Sequence, residues 1–160
     1  SKAGEFIYDR PFLWGSKRTG PDLHREGGKN PSSWHYKHML NPRVTSAGSI
    51  MPRYPWLIAR DLDRSQMVDK IKLMKNTFDV PYTQAQIDSA DSWADNQAKF
   101  IVKQIYSEAA DVKEAYAQRK AQEGANFVPL EKKEIVALIS YLQRLGTDIK
   151  TTEIKTASTK

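Results

Sequence analysis

A chain of 160 residues with 39% apolar side chains can build one domain with a core, and its longest uninterrupted apolar run, Ile135 to Ile139, excludes a membrane span among these residues, which would need roughly 18. Cysteine is absent, which excludes disulfides, thiolate metal sites and thiol nucleophiles. The formal net charge of +6 belongs to the first sixty residues, with ten Lys and Arg against four Asp and Glu, whereas residues 61–160 carry fifteen of each. Such a bias suits an acidic protein, nucleic acid or an anionic cofactor, and equally plain solvation.

The N-terminal "SKAGEFIYDRPF" has no apolar segment followed by a small-residue cleavage site, so it does not read as a signal peptide. Residues 1–60 are rich in Pro, Gly and Trp, with turn signals at Gly15-Ser16, Gly20-Pro21, Gly27-Gly28 and Asn41-Pro42, and predict a loop-dominated wrap. One short helix is predicted from Pro31 to about Leu40, with Asn30 as cap, Pro31 at the first helical position and Asn41-Pro42 as stop. Trp34 and His38 would share a face of it.

From Asp61 the pattern turns helical, and Leu62, Met67, Val68, Ile71 and Met74 give an apolar stripe ending near Asn76. In "VPYTQAQI" a proline stop precedes a capping box, Thr83 reaching forward and Gln86 reaching back. Ile87, Ala90, Ala94, Ile101, Ile105, Ala109, Val112 and Tyr116 then predict one long amphipathic helix, or two with a kink, to about Glu123, ended by Gly124. A last helix is predicted from about Leu130 to Leu145. Its apolar face is Ile135, Leu138, Ile139, Leu142 and Leu145, with Gly146 at C′. The threonine-rich tail beyond Lys150 reads as disordered, and neither a strand nor an internal repeat is legible.

Three histidines, His24, His35 and His38, invite a metal reading. His35 and His38 are one helical turn apart, but a pair supplies two ligands only, and no carboxylate falls at a supporting spacing, so hydrogen-bonded or solvated histidines are the plainer reading. "REGGKN" lacks the first glycine and the final Ser or Thr of a phosphate loop. Aromatics among the cations of the first segment would allow base stacking on single-stranded nucleic acid, or would simply pin an irregular wrap. "GSIMPRYPWL", residues 48–57, is more particular. A thioether is a soft, neutral ligand for haem iron, Pro52 and Pro55 would stiffen the loop that presents Met51, and Tyr54 and Trp56 would wall a porphyrin edge. A buried methionine in a turn is the other reading.

Five stretches occur in a telling order: "RPFLWGSKRTGPDL" (10–23), "WHYKHMLNPR" (34–43), "SIMPRYPWL" (49–57), "VPYT" (80–83) and "EIVALISYLQRLGT" (134–147). Together they resemble the mono-haem cytochrome c subunit, subunit II or the CcoO/FixO type, of cbb3-type cytochrome c oxidases. The resemblance covers nearly all of residues 6–92 and 129–148, and leaves 93–128 as a helical insertion.

The resemblance implies an all-α fold, a truncated class I cytochrome c-like domain over residues 1–150 with a loop-rich N-terminal segment and an inserted long helix or helical hairpin. It implies Met51 as an axial ligand of haem c iron. Gly20 and Pro21 would form the loop that orients the proximal histidine, Arg18 would pair with a haem propionate, and Trp14, Leu23, Tyr54 and Trp56 would wall the pocket. It also implies electron transfer on the periplasmic side of the bacterial inner membrane, with the haem-copper catalytic subunit and the other cytochrome c subunit as partners and no nucleic acid. The family's CxxCH motif and transmembrane anchor are not in this sequence. The chain is therefore expected to be a haem-free fragment, touching a membrane only through a missing anchor. Its last helix would be covered by Ile101, Ile105 and Val112 of the insertion, within one chain or in a homodimer. The alternatives are a helical interaction module that never binds haem, or a basic nucleic-acid-binding domain.

Overall fold

The computed structural model describes residues 20, 23 and 26–147. All regular structure among them is helical, as expected for the all-α cytochrome c-like class, and the one strand-like feature is an isolated antiparallel bridge between Asp61 and Lys133. No helix among the described residues is long and apolar enough to cross a membrane. The predicted tail beyond Lys150 lies outside the described residues.

The first helix, α1, runs Ser32–Leu40 and starts one residue later than predicted. Pro31 is its N-cap, extended at φ −67° and ψ 159°, and the Pro31 carbonyl accepts from the Trp34 and His35 amides. Asn30 does not cap; its amide donates to Glu26 Oε1 at 3.3 Å. Asn41 is extended, as a residue before proline prefers, and Pro42 opens a single turn, α2 (Pro42–Thr45), at the position where a missing N–H costs nothing. A second single turn, α3, spans Trp56–Ala59.

Helix α4 covers Met67–Phe78, not the expected Asp61 to Asn76. Residues 61–66 are drawn away by the bridge to Lys133. Asp79 ends the helix in the left-handed region at φ 50°, which Asp tolerates better than most residues. No residue of α4 is buried, so its apolar stripe is only partly used. The capping box forms as expected at the start of α5 (Gln84–Asp88): Thr83 Oγ1 accepts from the Gln86 amide, and Gln86 Oε1 accepts from the Thr83 amide.

The long amphipathic pattern is divided into α6 (Ala90–Glu108) and α7 (Ala110–Glu123) by Ala109, at φ −137° and ψ 88°. In a straight helix Ile101 and Tyr116 would lie about 22 Å apart along the axis, too far to meet in one compact cluster. The break at buried Ala109 folds them together. Gly124 ends α7 at φ 53°, as expected. The last predicted helix is split into a 3₁₀ turn, Leu130–Lys132, and α8 (Glu134–Arg144), with Lys133 extended between them and Gly146 at φ 73° beyond the end.

One buried cluster joins Ile101, Val102 and Ile105 of α6, Val112 and Tyr116 of α7, Leu130, and Ile135, Val136 and Ile139 of α8, with Tyr36 of α1. Each fully buried Ile contributes roughly 1.5–3 kcal/mol. Helix α8 packs on α6, and Ile101 and Ile105 of α6 share a buried cluster with its Ile135 and Ile139, a cluster that Val112 of α7 also joins. The face of α8 differs in composition from the predicted stripe: Val136 is buried, whereas Leu138 and Leu145 are only half-buried. Helix α8 lies against both α6 and α1, and the position of α1 places the loop that follows it.

Candidate functional site

The Met51 loop is folded back onto the C-terminal end of α1. The Tyr54 amide donates to the Met39 carbonyl at 2.9 Å, and Arg53 Nε donates to the Leu40 carbonyl at 3.2 Å, so two of the carbonyls that α1 leaves without a helical partner are answered by the loop. On the approach side the Ser46 amide donates to the Pro42 carbonyl and the Ser49 amide to the Ser46 carbonyl, Gly48 takes φ 76°, and Ser49 Oγ accepts from the Met51 amide at 3.2 Å. Met51 is half-buried between these two sets of hydrogen bonds. Tyr54 and Trp56 stand edge to face, ring centroids 5.2 Å apart, Tyr54 half-buried and Trp56 exposed.

Of the other residues the sequence points to, Trp14, Arg18, Pro21 and His24 lie outside the described residues. Gly20 and Leu23 are exposed; a Cβ on Gly20 would meet nothing within 4 Å among the described residues, and the Leu23 carbonyl accepts from the Glu26 amide. Of the predicted residues, Tyr54 and Trp56 are brought into ring contact, on the loop that carries Met51. A cavity of about 1190 Å³ lies elsewhere, between α4, α6 and α8, lined by Leu62, Met67, Ile71, Ala98, Val136 and Tyr141 among others, and none of the three lines it.

The two described histidines do not form a metal pair, and no metal-binding cluster of three His, Asp or Glu occurs among the described residues. His38 stacks on Trp34, centroids 4.4 Å apart and planes 11° from parallel. Its Nδ1 meets Thr45 Oγ1, whose own proton goes to the Pro42 carbonyl at 3.1 Å. That chain of hydrogen bonds assigns the proton to Nδ1 and locks α2 onto α1. His35 is buried, with Nε2 3.9 Å from Oε1 of the equally buried Glu26; His35 Nε2 and Glu26 Oε2 have no hydrogen-bond partner. Burial lowers the pKa of His35 below the ordinary value; the Glu26 carboxylate opposes this and His38 adds to it. Burial likewise lowers His38, again against Glu26.

Sequence reasoning missed what holds this end of the molecule to α8. Gln143 accepts from the Gly28 amide at 3.0 Å and donates to the Asn30 carbonyl at 2.8 Å, so one side chain grips the turn before α1 at two points. Lys133, buried, donates to the Ala59 carbonyl at 3.0 Å and to Asp61 Oδ1 at 2.6 Å just after α3. Both are contacts across more than 70 residues, and no local pattern announces them.

No curated protein matches the chain. A helical core, a methionine loop pinned to the end of α1 and flanked by Tyr54 and Trp56, and the motif order along the sequence agree with the match of residues 1–149 to the family model described as cytochrome C oxidase, mono-heme subunit/FixO, and the chain belongs to that family.

Proposed function

We propose that this chain is part of the electron-transferring subunit II of a cbb3-type oxidase, and that Met51 is the residue through which it serves the haem iron. The family is one of haem-containing oxidase subunits, which carries the coarser statement: electron transfer within a membrane-associated cytochrome c oxidase. The observation that supports the finer one is the double restraint on Met51, by Ser49 on one side and by Met39 and Leu40 on the other. A thioether binds iron weakly, so a fixed approach matters more for Met than for a charged ligand.

The donor set fits half of a haem site. Met51 is neutral, soft and half-buried, and Tyr54 and Trp56 offer aromatic surface beside it. The sequence has no cysteine, so thioether bonds to haem c must come from residues outside these 160, and the chain by itself is expected to hold no haem. When bound, the haem supplies the one-electron couple. This chain's part is to hold the methionine sulfur in place, to keep water from one side of the site through Tyr54 and Trp56, and to orient the opposite ligand through Gly20 and Pro21. Trp14 and Leu23 complete the walls and Arg18 compensates propionate charge. The haem-copper catalytic subunit and the other cytochrome c subunit are the partners, on the periplasmic side of the inner membrane, and residues 93–128 are an insertion in the family pattern.

The test is potentiometry on the haem-loaded subunit. Met51→Ala is expected to retain the covalently held haem, to lose the spectroscopic signature of Met ligation, and to lower the reduction potential. An unchanged potential and spectrum would assign the ligand to another residue.

A further inference from the structure

Between Gly27 and Arg60 the sequence contains five cationic residues, Lys29, Lys37, Arg43, Arg53 and Arg60, and no carboxylate. Lys37 is matched from outside the segment, by Asp111 on α7 at 3.0 Å. Arg43, Arg53 and Arg60 have no ion pair among the described residues, and all three are exposed. Exposed apolar side chains alternate with them along the same folded-back run: Ile50 at 84% exposure, Val44 at 67% and Trp56 at 43%. Hydrogen bonds from Arg53 to Leu40 and from Tyr54 to Met39 make α2, the Met51 loop and α3 one surface at the end of α1.

We propose that this surface is a docking face for a protein whose contact patch is acidic and carries exposed apolar side chains. The proposal goes beyond the haem reading and stands without it. Exposed apolar side chains interspersed with charge of one sign suit a partner of the opposite sign, since like-charged surfaces are rejected while the apolar side chains contribute affinity. The cations of residues 42–60 are all arginine, which pairs with carboxylates through a planar fork and is enriched at protein interfaces, where lysine is depleted. The apolar residues come from a turn and two single-turn helices. A surface that lies in a lipid interface is ordinarily one continuous amphipathic helix with a long apolar face. The exposed side of α4 makes a useful contrast: Leu73, Met74 and Phe78 are interleaved with Asp69, Lys70, Lys72, Lys75 and Asp79, charges of both signs that select no partner.

The isotopically labelled chain can be titrated with an acidic reduced c-type cytochrome, with vesicles of phosphatidylglycerol and phosphatidylcholine, and with a single-stranded oligonucleotide, while the methyl signals of Val44 and Ile50 and the Trp56 indole are followed. Expected are shifts at all three with the acidic cytochrome, vanishing as salt rises from about 0.01 M to about 1 M, over which the Debye length falls from about 30 Å to about 3 Å. Arg43→Glu with Arg60→Glu should weaken binding about tenfold or more, Ile50→Ser should weaken it without changing the salt dependence, and Lys113→Glu with Lys120→Glu on α7 should leave it unchanged. Matching thermal melts keep folding out of the comparison. Absence of shifts with the acidic cytochrome, an equal loss from the α7 variants, or shifts with vesicles or the oligonucleotide alone would overturn the proposal. None of these readouts requires haem, so a failure here leaves the Met51 test untouched.

Discussion

Gly27 and Leu145 are in direct backbone contact: the Gly27 amide donates to the Leu145 carbonyl at 2.9 Å, and a Cβ on Gly27 would lie 2.3 Å from that oxygen. The Gln143 carbonyl and Thr147 Cγ2 would be met at 2.8 and 2.9 Å. Backbone oxygens at that range cannot swing aside as a side-chain end can. Gly27→Ala should therefore push the turn before α1 away from α8, break the paired hydrogen bonds of Gln143, and cost about 2 kcal/mol or more. In a thermal melt this is roughly 4–8 °C for a chain of this size. A melt within a degree of the parent would mean that the end of α8 yields freely.

Acid should weaken the fold through the histidines. His35 and His38 are both held below the ordinary imidazole value of 6.5, chiefly by burial. Between that value and their lower folded values the unfolded chain binds more protons than the folded one. Their contribution to stability is therefore complete above about pH 6.5 and is lost as pH falls through the folded values. Imidazole proton shifts followed by NMR should show His35 titrating below 6.5. A midpoint above it would mean that attraction to Glu26 outweighs burial.

The core makes a graded test. Ile105 of α6 is fully buried, and Ile105→Ala should cost about 2–5 kcal/mol, as removal of a core isoleucine typically does. Leu138, counted on the apolar face of α8 by periodicity, is only half-buried, and Leu138→Ala should cost about half as much or less. Denaturant melts of the two variants that coincide would contradict the orientation of α8 against α6.

The parts of this fold that were legible in the sequence are those decided by a few neighbouring residues. Thr83 and Gln86 form their box because both partners lie within one turn, and Gly124 and Gly146 end helices because a positive φ favours glycine. The break at Ala109 has no glycine or proline to mark it; it follows from the length of the core, which no local window contains. The start of α4 was misplaced for a similar reason, since Asp61 is claimed by Lys133, 72 positions away. Glu26 and His35, Gln143 and the turn at Gly28, and His38 with Thr45 were equally silent. Met51 stood out by the motif around it, while the hydrogen bonds that fix its loop to α1 left no trace in that motif.

The Leu62 amide donates to the Lys132 carbonyl at 2.7 Å, and the Glu134 amide donates to the Arg60 carbonyl at 3.2 Å. Residues 63–131 thus depart from and return to one stitched point, and on the way they are tied to α1 at Ser32 with Gln104, Ser33 with Glu108 and Lys37 with Asp111. The entropic cost of closing such an excursion rises only with the logarithm of its length. Such a segment can lengthen or shorten with little consequence only in the stretches that touch neither α1 nor α8. The two restraints on Met51, from Ser49 and from the end of α1, both lie outside that segment, so whatever the helical excursion passes to the thioether reaches it through α1.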